Sequence, residues 1–434
     1  MAPSQISRPH ASATAALPLF LFLSSAIGAV ALNNGAALTP PMGFANWNGF
    51  QCDYDDALFR EMADAMVSTG LRDAGYEYLL VQECIVPAGA RDPATGVVIP
   101  DAKKFPHGLA DLAAYFHSKG LKAGIYTDVM NETCAGYEGS GPGPGHASHW
   151  PLDALTYAQW GFDMIEADFC GRAGDGETDQ QLYAHASAAI AAASAATNRT
   201  VAFYMCNWGS DAPWRWAPEF ANLFRNTVDI QYIAGQCNFP FILRNFDGTV
   251  VNSGTPPSRP GVPGTGISAW NDPDMLCTGF RGITDTEGRS QFSLWVILAA
   301  PLFLGTDVRS ASAFTLATIG NVEAIAIDQD PLGVQGMEYT PAVSPPPANV
   351  SFYYKPLAPQ AGAQSVAIAV LNRGDAALPG VNVSLADLGF ALAQPVVVRD
   401  IWAGTTSGPV QASFLTRPVD SHETLLLKLT PVTG

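Results

Sequence analysis

Two carboxylates stand two residues apart in the stretch IEADFC, residues 165–170, at the end of an apolar run. In a β-strand, residues two apart point to the same face, so Glu166 and Asp168 would face the same way, with Cys170 next on that face. Two like charges aimed together cost free energy unless a reaction or a ligand uses them. Taken alone, this stretch is more simply explained as a strand that ends in a polar surface loop.

The elements around this stretch form a regular pattern. Between residues 40 and 335, short apolar runs that end in polar residues alternate with stretches of helical character, such as 55–69, 181–196 and 290–300. The apolar runs cover residues 42–47, 76–81, 121–126, 162–167, 201–205, 223–224, 267–270 and 301–304. Eight strand–helix units predict an α/β fold, a (β/α)8 TIM barrel, whose site lies at the C-terminal ends of the strands. Asp168 would then belong to a ring of acids at the barrel mouth.

The pattern changes after Gly336. A proline-rich joint at 341–347 precedes strand-like runs at 350–354, 365–371, 395–402 and 423–429, without a convincing helix. We therefore expect a catalytic barrel at 32–336 and a C-terminal antiparallel β-sandwich domain at 337–434. Two glycine- and proline-rich stretches, 141–145 and 254–266, are predicted to be loops on the strand-end side.

Composition indicates a globular protein, and the N-terminal segment indicates an exported one. Of the 434 residues, 48% are hydrophobic and 14% charged, and the formal net charge of −17 argues against binding to nucleic acid. Residues 1–31 resemble a signal peptide: Arg8 precedes an apolar run that ends in the A-x-A site at 29–31. Because Ser24, Ser25 and Gly28 interrupt this short run, we favour cleavage over a membrane anchor and expect a secreted protein, with a vacuolar or lysosomal destination also open.

Cysteines and sequons agree with export. The four N-x-S/T triplets begin at Asn131, Asn198, Asn349 and Asn382, which predicts a glycoprotein. Seven cysteines suit disulfides in an oxidising compartment, and their odd number leaves at least one thiol unpaired within the chain. No Cys-x-x-Cys pair or Cys/His spacing indicates zinc.

Acids at a barrel mouth beside aromatic side chains suit a carbohydrate, because pyranose rings stack on aromatic faces and paired carboxylates cleave glycosidic bonds. The aromatic residues near the predicted strand ends are Trp47, Tyr126, Trp208 and Trp270.

Four longer motifs identify a family of proteins that this chain resembles. The stretches TPPMGFANWNGF, HSKGLKAGIYTD, WNDPDML and IDQDPLGVQG resemble the α-galactosidase (melibiase) family, glycoside hydrolase family 27. The resemblance runs from Thr39 to about Gly336, and VLNRG, RDIWAG and HETLLLKLTP echo it more weakly beyond.

The resemblance implies a retaining mechanism with a nucleophile at the end of the fourth strand, Asp168, and an acid/base four residues after an arginine, Asp229. Retention requires two carboxyl groups about 5–5.5 Å apart, one to attack the anomeric carbon and one to protonate the leaving oxygen. It also implies two disulfides, Cys52–Cys84 and Cys134–Cys170. The residues that match the family's sugar-contacting positions are Trp47, Gln82, Glu83, Tyr126, Glu166, Cys206, Asn207, Arg225, Asp274 and Met275.

Four of these positions depart from the usual family pattern. Gln82-Glu83 replaces Asp-Asp, Glu166 replaces a lysine, and Asn207 replaces a glutamate. The formal charge over the four positions is −2 in both patterns, so the charge has moved rather than vanished. We infer a coordinated change of the sugar pocket around an intact catalytic pair. We also expect Glu166, as an anion, to raise the pKa of Asp168.

The sequence thus predicts a secreted retaining exo-glycosidase that hydrolyses terminal α-D-galactosides, acting as a monomer or homodimer, with no nucleic-acid or membrane partner. This prediction implies no metal and no cofactor. The same mechanism on a β-L-arabinopyranoside, an α-N-acetylgalactosaminide or an isomaltose-type glucan is the alternative. A longer acid at position 83 would crowd the hydroxymethyl group of galactose and favour a pentopyranose. From another class, an inactive sugar-binding protein is the third hypothesis, which the presence of both Asp168 and Asp229 disfavours.

Overall fold

A computed structural model describes residues 33–143, 147–171, 176–252, 269–342, 346–359, 363–391 and 393–432. The predicted signal peptide at 1–31 and the predicted loop at 254–266 lie outside these ranges, as does part of the loop at 141–145. Among the described helices, none is long and apolar enough to cross a bilayer.

The first part of the described chain is a (β/α)8 barrel, which confirms the predicted fold. All pairings in its eight-stranded sheet are parallel, in the order β7-β6-β5-β4-β3-β2-β1-β8. The two ends of this sheet meet, since the amide of Leu276, just beyond β7, donates to the carbonyl of Phe303 in β8 at 2.8 Å. The strands are β1 Met42–Ala45, β2 Tyr78–Val81, β3 Lys122–Asp128, β4 Met164–Asp168, β5 Ala202–Cys206, β6 Leu223–Arg225, β7 Trp270–Asp272 and β8 Leu302–Leu304.

Helices surround the barrel, and their ends follow local capping chemistry. The side chain of Thr178 caps α5 and that of Thr284 caps α7, each in a capping box with a Gln or Glu three residues later. The described helices are α1 Trp47–Phe50, α2 Asp56–Ser68, α3 Leu109–Ser118, α4 Trp150–Trp160, α5 Asp179–Thr197, α6 Phe239–Asn252, α7 Asp285–Leu298, α8 Ala313–Ile319 and α9 Val322–Asp328.

The C-terminal part is an antiparallel β-sandwich, also as predicted. A six-stranded sheet in the order β14-β13-β16-β11-β10-β9 lies opposite the two-stranded sheet β12-β15. Its strands are β9 Met337–Tyr339, β10 Val350–Pro356, β11 Val366–Asn372, β12 Asn382–Ser384, β13 Val396–Asp400, β14 Thr405–Val410, β15 Ser413–Leu415 and β16 Thr424–Pro431.

Strand β11 joins the two parts through its alternating side chains. Val366, Ile368 and Val370 belong to the sandwich core, whereas Ala367 and Ala369 belong to the core of the barrel. Successive strand residues point to opposite faces, so one strand supplies both cores. The second face packs against α7, a helix whose residues from Ser290 onward are buried.

A buried lysine lies in the same interface. Lys355 of β10 is fully buried, and its Nζ donates to the carbonyl oxygens of Asp328 at 3.2 Å and Val296 at 3.4 Å. Burial lowers the pKa of Lys355 to about 8, while the nearby Asp328 carboxyl opposes the shift. The two parts of the protein therefore share polar groups as well as apolar surface.

The structure pairs six of the seven cysteines, all of which lie in the described ranges. Cys52–Cys84 and Cys134–Cys170 form as the resemblance implied, with Cα–Cα distances of 5.6 and 4.8 Å. The third pair, Cys237–Cys277, has a Cα–Cα distance of 6.1 Å and was left open by the sequence. Cys206, in β5, is unpaired and buried. All three pairs join segments at the C-terminal ends of barrel strands.

We expect peptide mapping of the unreduced protein to recover these three linked pairs and one free thiol. Burial should protect Cys206 from a thiol reagent in the native protein and release it on denaturation. Alkylation before and after denaturation, followed by mass spectrometry, measures both properties. A native protein that is alkylated at Cys237 or Cys277 would contradict the third pair.

Candidate active site

The C-terminal ends of the barrel strands surround a cavity of about 240 Å³. Eleven of the twelve residues predicted for the catalytic and sugar-contacting set line it, which places them together although they come from seven different strand ends. The lining consists of Trp47, Asn48, Gln82, Glu83, Tyr126, Cys134, Glu166, Asp168, Cys170, Tyr204, Cys206, Trp208, Arg225, Asp229, Asp274 and Met275.

The exception is Asn207, which does not line the cavity. Its Nδ2 donates to the carbonyl of Ser210 at 2.7 Å and to Asp179 Oδ2 at 3.3 Å, and its side chain is fully buried behind the cavity wall. Cys206 ends β5 facing inward, so the next residue points away from the cavity. The backbone then turns through a positive φ of 53° at Trp208, which returns to the lining.

Five lining residues lie outside the predicted catalytic and sugar-contacting set: Asn48, Cys134, Cys170, Tyr204 and Trp208. The sequence predicted Cys134 and Cys170 only as a disulfide pair, and Trp208 only as an aromatic residue near a strand end. Tyr204 lies two residues before Cys206 in β5, so strand alternation could have identified it. Its hydroxyl donates to Asp272 at the end of β7. Asn48 lies within α1, next to Trp47, and carried no sequence signal of its own.

Asp168 ends β4 and reaches the cavity nearly buried. Its Oδ1 accepts from the amide of Phe169 at 3.0 Å, and its Oδ2 lies 3.0 Å from the hydroxyl of Tyr126. Burial, followed by the nearby charge of Asp128, raises the pKa of Asp168 to about 8, although the hydrogen bond from Tyr126 works in the other direction. Burial therefore favours the neutral form of this carboxyl.

Asp229 occupies the open side of the cavity. Its side chain is 41% exposed, whereas that of its partner Arg225 is only 7% exposed. Arg225 Nη2 lies 3.0 Å from Asp229 Oδ1 and 3.1 Å from Asp274 Oδ2, so one guanidinium orients both carboxylates. Asp229 thus combines a fixed position with access to solvent.

Asp274 stabilises the turn after β7 and also lines the cavity. Within the Asn-Asp-Pro-Asp sequence it adopts a positive φ of 89°, and its own carboxylate accepts from the amides of Met275 at 2.6 Å and Ile230 at 2.8 Å. Burial raises its pKa, while Arg225 opposes that shift. The contact with Ile230 ties the turn after β7 to the segment that carries Asp229.

Glu166 lies beside Gln82, whose Nε2 donates to Glu166 Oε2 at 2.7 Å. Burial raises the pKa of Glu166 well above its usual value; Asp168 and Asp272 add to the shift, and Gln82 and Arg225 oppose it. We expected Glu166 to act as an anion on Asp168. Burial instead favours the neutral form of Glu166, and the charges that raise the pKa of Asp168 most are those of Asp128 and Asp229.

Glu83 is buried at the cavity wall, and protein donors fill both of its oxygens. Oε1 accepts from Tyr126 Oη at 2.9 Å and from the amide of Ala135 at 3.1 Å. Oε2 accepts from Thr133 Oγ1 at 2.7 Å and from the amide of Cys84 at 3.3 Å. An ionised carboxylate has about four acceptor sites. Glu83, which was expected to contact the sugar, therefore uses its acceptor capacity within the protein.

One group of acid and sulfur atoms among the described residues has the spacing of a metal site: Asp128, Cys134 and Cys170. Its two cysteines are bonded to each other, so neither offers the thiolate that binds a metal. This donor set does not fit a metal ion.

Comparison with known proteins places the chain among glycoside hydrolases. The family described as alpha galactosidase A matches residues 39–330, and its C-terminal beta sandwich domain matches residues 348–429. An alpha-galactosidase of Cyamopsis tetragonoloba is 35% identical over 398 residues, covering 92% of this chain and 88% of the relative. Alpha-galactosidase A of Cellvibrio japonicus is 36% identical over 409 residues, covering 91% and 93%. The crystal structure of alpha-galactosidase I from Mortierella vinacea superposes with a TM-score of 0.76 at 27% identity, covering 92% of this chain and 98% of that one.

The protonation of Glu166 can be tested with two substitutions. Glu166→Gln keeps an oxygen for the hydrogen bond from Gln82 and removes the titratable group, so we expect the acidic limb of kcat/KM against pH to stay at its wild-type position. Glu166→Lys introduces a cation near Asp168, which favours the ionised carboxylate and should move the limb to lower pH.

The measurement is the pH profile of wild type and both variants on an aryl glycoside that the enzyme cleaves. A limb that falls in Glu166→Gln, even by less than in Glu166→Lys, would mean that Glu166 is ionised in the wild-type protein.

Proposed function

The chain belongs to the alpha galactosidase A family of glycoside hydrolases, and on this premise we propose that it is a secreted retaining exo-glycosidase that releases terminal α-D-galactose through a covalent glycosyl-enzyme intermediate. The observation that carries the proposal is the placement of Asp168 and Asp229 in one cavity, the first buried at its wall and the second at its opening.

In the proposed first step, ionised Asp168 attacks the anomeric carbon of the sugar. The bond from that carbon to the leaving oxygen breaks, and Asp229 gives its proton to this oxygen. Tyr126 stabilises the attacking carboxylate by donating to Oδ2. In the second step Asp229, now a carboxylate, removes a proton from water, which displaces Asp168 and returns the sugar with its original configuration.

The unequal exposure of the two carboxyl groups supports these roles. A nucleophile must lie where the ring is bound, and Asp168 is nearly buried. An acid/base must reach the leaving group and then water, both of which are outside the ring, and Asp229 faces the opening. Arg225 holds Asp229 in place at 3.0 Å without closing this access.

The size and composition of the cavity favour cleavage at a chain end. A cavity of about 240 Å³ lies below the range of roughly 300–1,000 Å³ typical for drug-sized ligands, which suits a single sugar ring. Trp47, Tyr204 and Trp208 supply aromatic surface for such a ring. Three disulfides support the proposed export of the protein, because such bonds persist in oxidising compartments.

A second substrate deserves a test because of Glu83. A carboxylate whose oxygens are already satisfied by Tyr126, Thr133 and two amides offers no acceptor to a sugar hydroxyl. Its longer side chain also occupies space at the cavity wall. Both features favour a β-L-arabinopyranoside, which has the ring stereochemistry of an α-D-galactoside but lacks the hydroxymethyl group.

Two aryl glycosides that differ only in the hydroxymethyl group distinguish the two candidate substrates. We expect the purified protein to cleave the aryl α-D-galactoside, with the first-formed sugar of retained configuration by proton NMR. A kcat/KM at least tenfold higher for the aryl β-L-arabinopyranoside would transfer the proposal to the pentose substrate. Turnover of neither compound, together with binding of either sugar, would indicate the inactive sugar-binding protein.

The catalytic roles predict a contrast between two substitutions. Asp168→Ala removes the nucleophile and should lower kcat by several orders of magnitude on every substrate. Asp229→Ala should largely spare an aryl glycoside with a good leaving group, because such a group needs little protonation, while strongly slowing an alkyl glycoside. Steady-state kinetics on both substrate types measure the contrast. Near-full activity of Asp168→Ala on the activated substrate would show that the nucleophile is another residue.

A further inference from the structure

One hydroxyl group lies between two carboxylates at the cavity wall. Tyr126 Oη is 2.9 Å from Glu83 Oε1 and 3.0 Å from Asp168 Oδ2. A phenol carries one proton and can make one full hydrogen bond as a donor. Burial raises the pKa of Tyr126 well above its usual value, so the hydroxyl keeps that proton throughout the working range. The two carboxylates cannot both receive it.

Glu83 is held as an acceptor by its other contacts. Thr133 Oγ1, itself an acceptor for the amide of Tyr137 at 3.1 Å, directs its hydroxyl proton to Glu83 Oε2. The amides of Ala135 and Cys84 also point at the carboxylate. These donors fix the orientation of the Glu83 carboxylate, with Oε1 toward Tyr126. Glu83 therefore competes for the proton of Tyr126 as a positioned acceptor.

The backbone fixes Glu83 in this position. Glu83 and Cys84 both have positive φ, 54° and 51°, directly after β2. The carbonyl of Glu83 accepts from the hydroxyl of Tyr54, and Cys84 is bonded to Cys52. Non-glycine residues in this region persist only where the surrounding structure holds them.

We propose that Glu83 is a positioning residue that competes with Asp168 for the single hydroxyl proton of Tyr126, and thereby raises the pH at which the nucleophile becomes ionised. When Asp168 is protonated, its carboxyl donates to Tyr126 Oη and the phenol donates to Glu83. When Asp168 loses its proton to solvent, the phenol proton turns to Asp168 Oδ2, and Glu83 keeps its donors from Thr133, Ala135 and Cys84. No covalent bond other than the O–H bond of Asp168 changes.

The proposal rests on the role of Asp168 as nucleophile and adds a residue that acts on it through Tyr126. Other ionisable groups face Asp168 from neighbouring elements and remain in place in the variants below. They are Asp128 on β3, Glu166 on β4, Tyr183 on α5, Cys206 on β5, Arg225 on β6, and Asp229 and Asp274 beyond β6 and β7.

The test compares the acidic limb of kcat/KM in four variants. Glu83→Asp keeps the charge but shortens the side chain, which frees Tyr126 for Asp168; the limb should fall by about one pH unit. Tyr126→Phe removes the donor, so the limb should rise by a similar amount. In the double variant the Asp at position 83 should add no shift to that of Tyr126→Phe.

Thr133→Val is the matched control. It removes one donor from Glu83 without touching Tyr126, so Glu83 should attract the phenol proton more strongly and the limb should rise. If both substitutions acted only by loosening the packing of the cavity wall, the acidic limb would shift in the same direction for Glu83→Asp and Thr133→Val. A higher KM with an unmoved limb in Glu83→Asp would identify Glu83 as a sugar ligand and overturn the proposal.

A measurement without substrate separates this proposal from the proposed function. The ¹³Cζ resonance of Tyr126 in tyrosine-labelled protein, assigned by its loss in Tyr126→Phe, should titrate with Asp168, with a lower midpoint in Glu83→Asp. The expected titration in a protein that cleaves no glycoside would contradict the proposed function alone. An active enzyme whose Tyr126 midpoint is the same in both forms would contradict the role of Glu83 alone.

Discussion

One cation faces five carboxyl groups in the described cavity lining, and this imbalance governs the rest of the site. Arg225 contacts Asp229 and Asp274, and one positive charge cannot balance five carboxylates. Removing an unpaired carboxylate from water costs several kcal/mol, so the other three need other solutions. Glu83 is surrounded by donors, burial raises the pKa of Glu166 beside Gln82, and Asp168 shares the hydroxyl of Tyr126. The charge of the pocket thus depends on the hydrogen bonds and pKa values of its carboxyl groups, as well as on which residues are present.

Disulfide-linked segments at the strand ends position the hydrogen-bond donors that contact these carboxylates. Thr133 and Ala135 flank Cys134, which is bonded to Cys170 two residues beyond Asp168. The amide of Cys84 donates to Glu83, and Cys84 is bonded to Cys52. The disulfides therefore hold hydrogen-bond donors next to particular carboxylates, in addition to restricting the unfolded chain.

The barrel could be predicted because its strands are buried on both faces and appear in the sequence as continuous apolar runs. Each of the eight predicted runs overlaps an observed strand. In the sandwich the four predicted runs correspond to β10, β11, β13 and β16, which are neighbours in the large sheet. The missed strands are β9 and β14 at its edges and the small pair β12-β15. These strands are short or exposed, and β14 is exposed over five of its six residues, so they carry no apolar signal.

Site residues on strands were predictable from motif and alternation, whereas contacts made by loops were not. Alternation beyond Cys206 places Asn207 behind the wall, whereas no periodicity marks the positive φ that returns Trp208 to the cavity lining. The sequence identified Glu83 as a departure from the family pattern. It could not show that Thr133 and Ala135, about 50 positions further along, fold back onto its carboxylate. The protonation of Glu166 depends likewise on burial from all sides, which only the folded chain supplies.

Strand β11 has a consequence for how this protein can change length. Its odd and even positions serve different cores, so inserting or deleting a single residue would send the valines toward α7 and the alanines into the sandwich. Small residues would leave cavities on one side while branched ones crowded the other. Changes in chain length at the junction should therefore be confined to the turns on either side of β11. The register of β11 is therefore fixed by the packing of two hydrophobic cores at once.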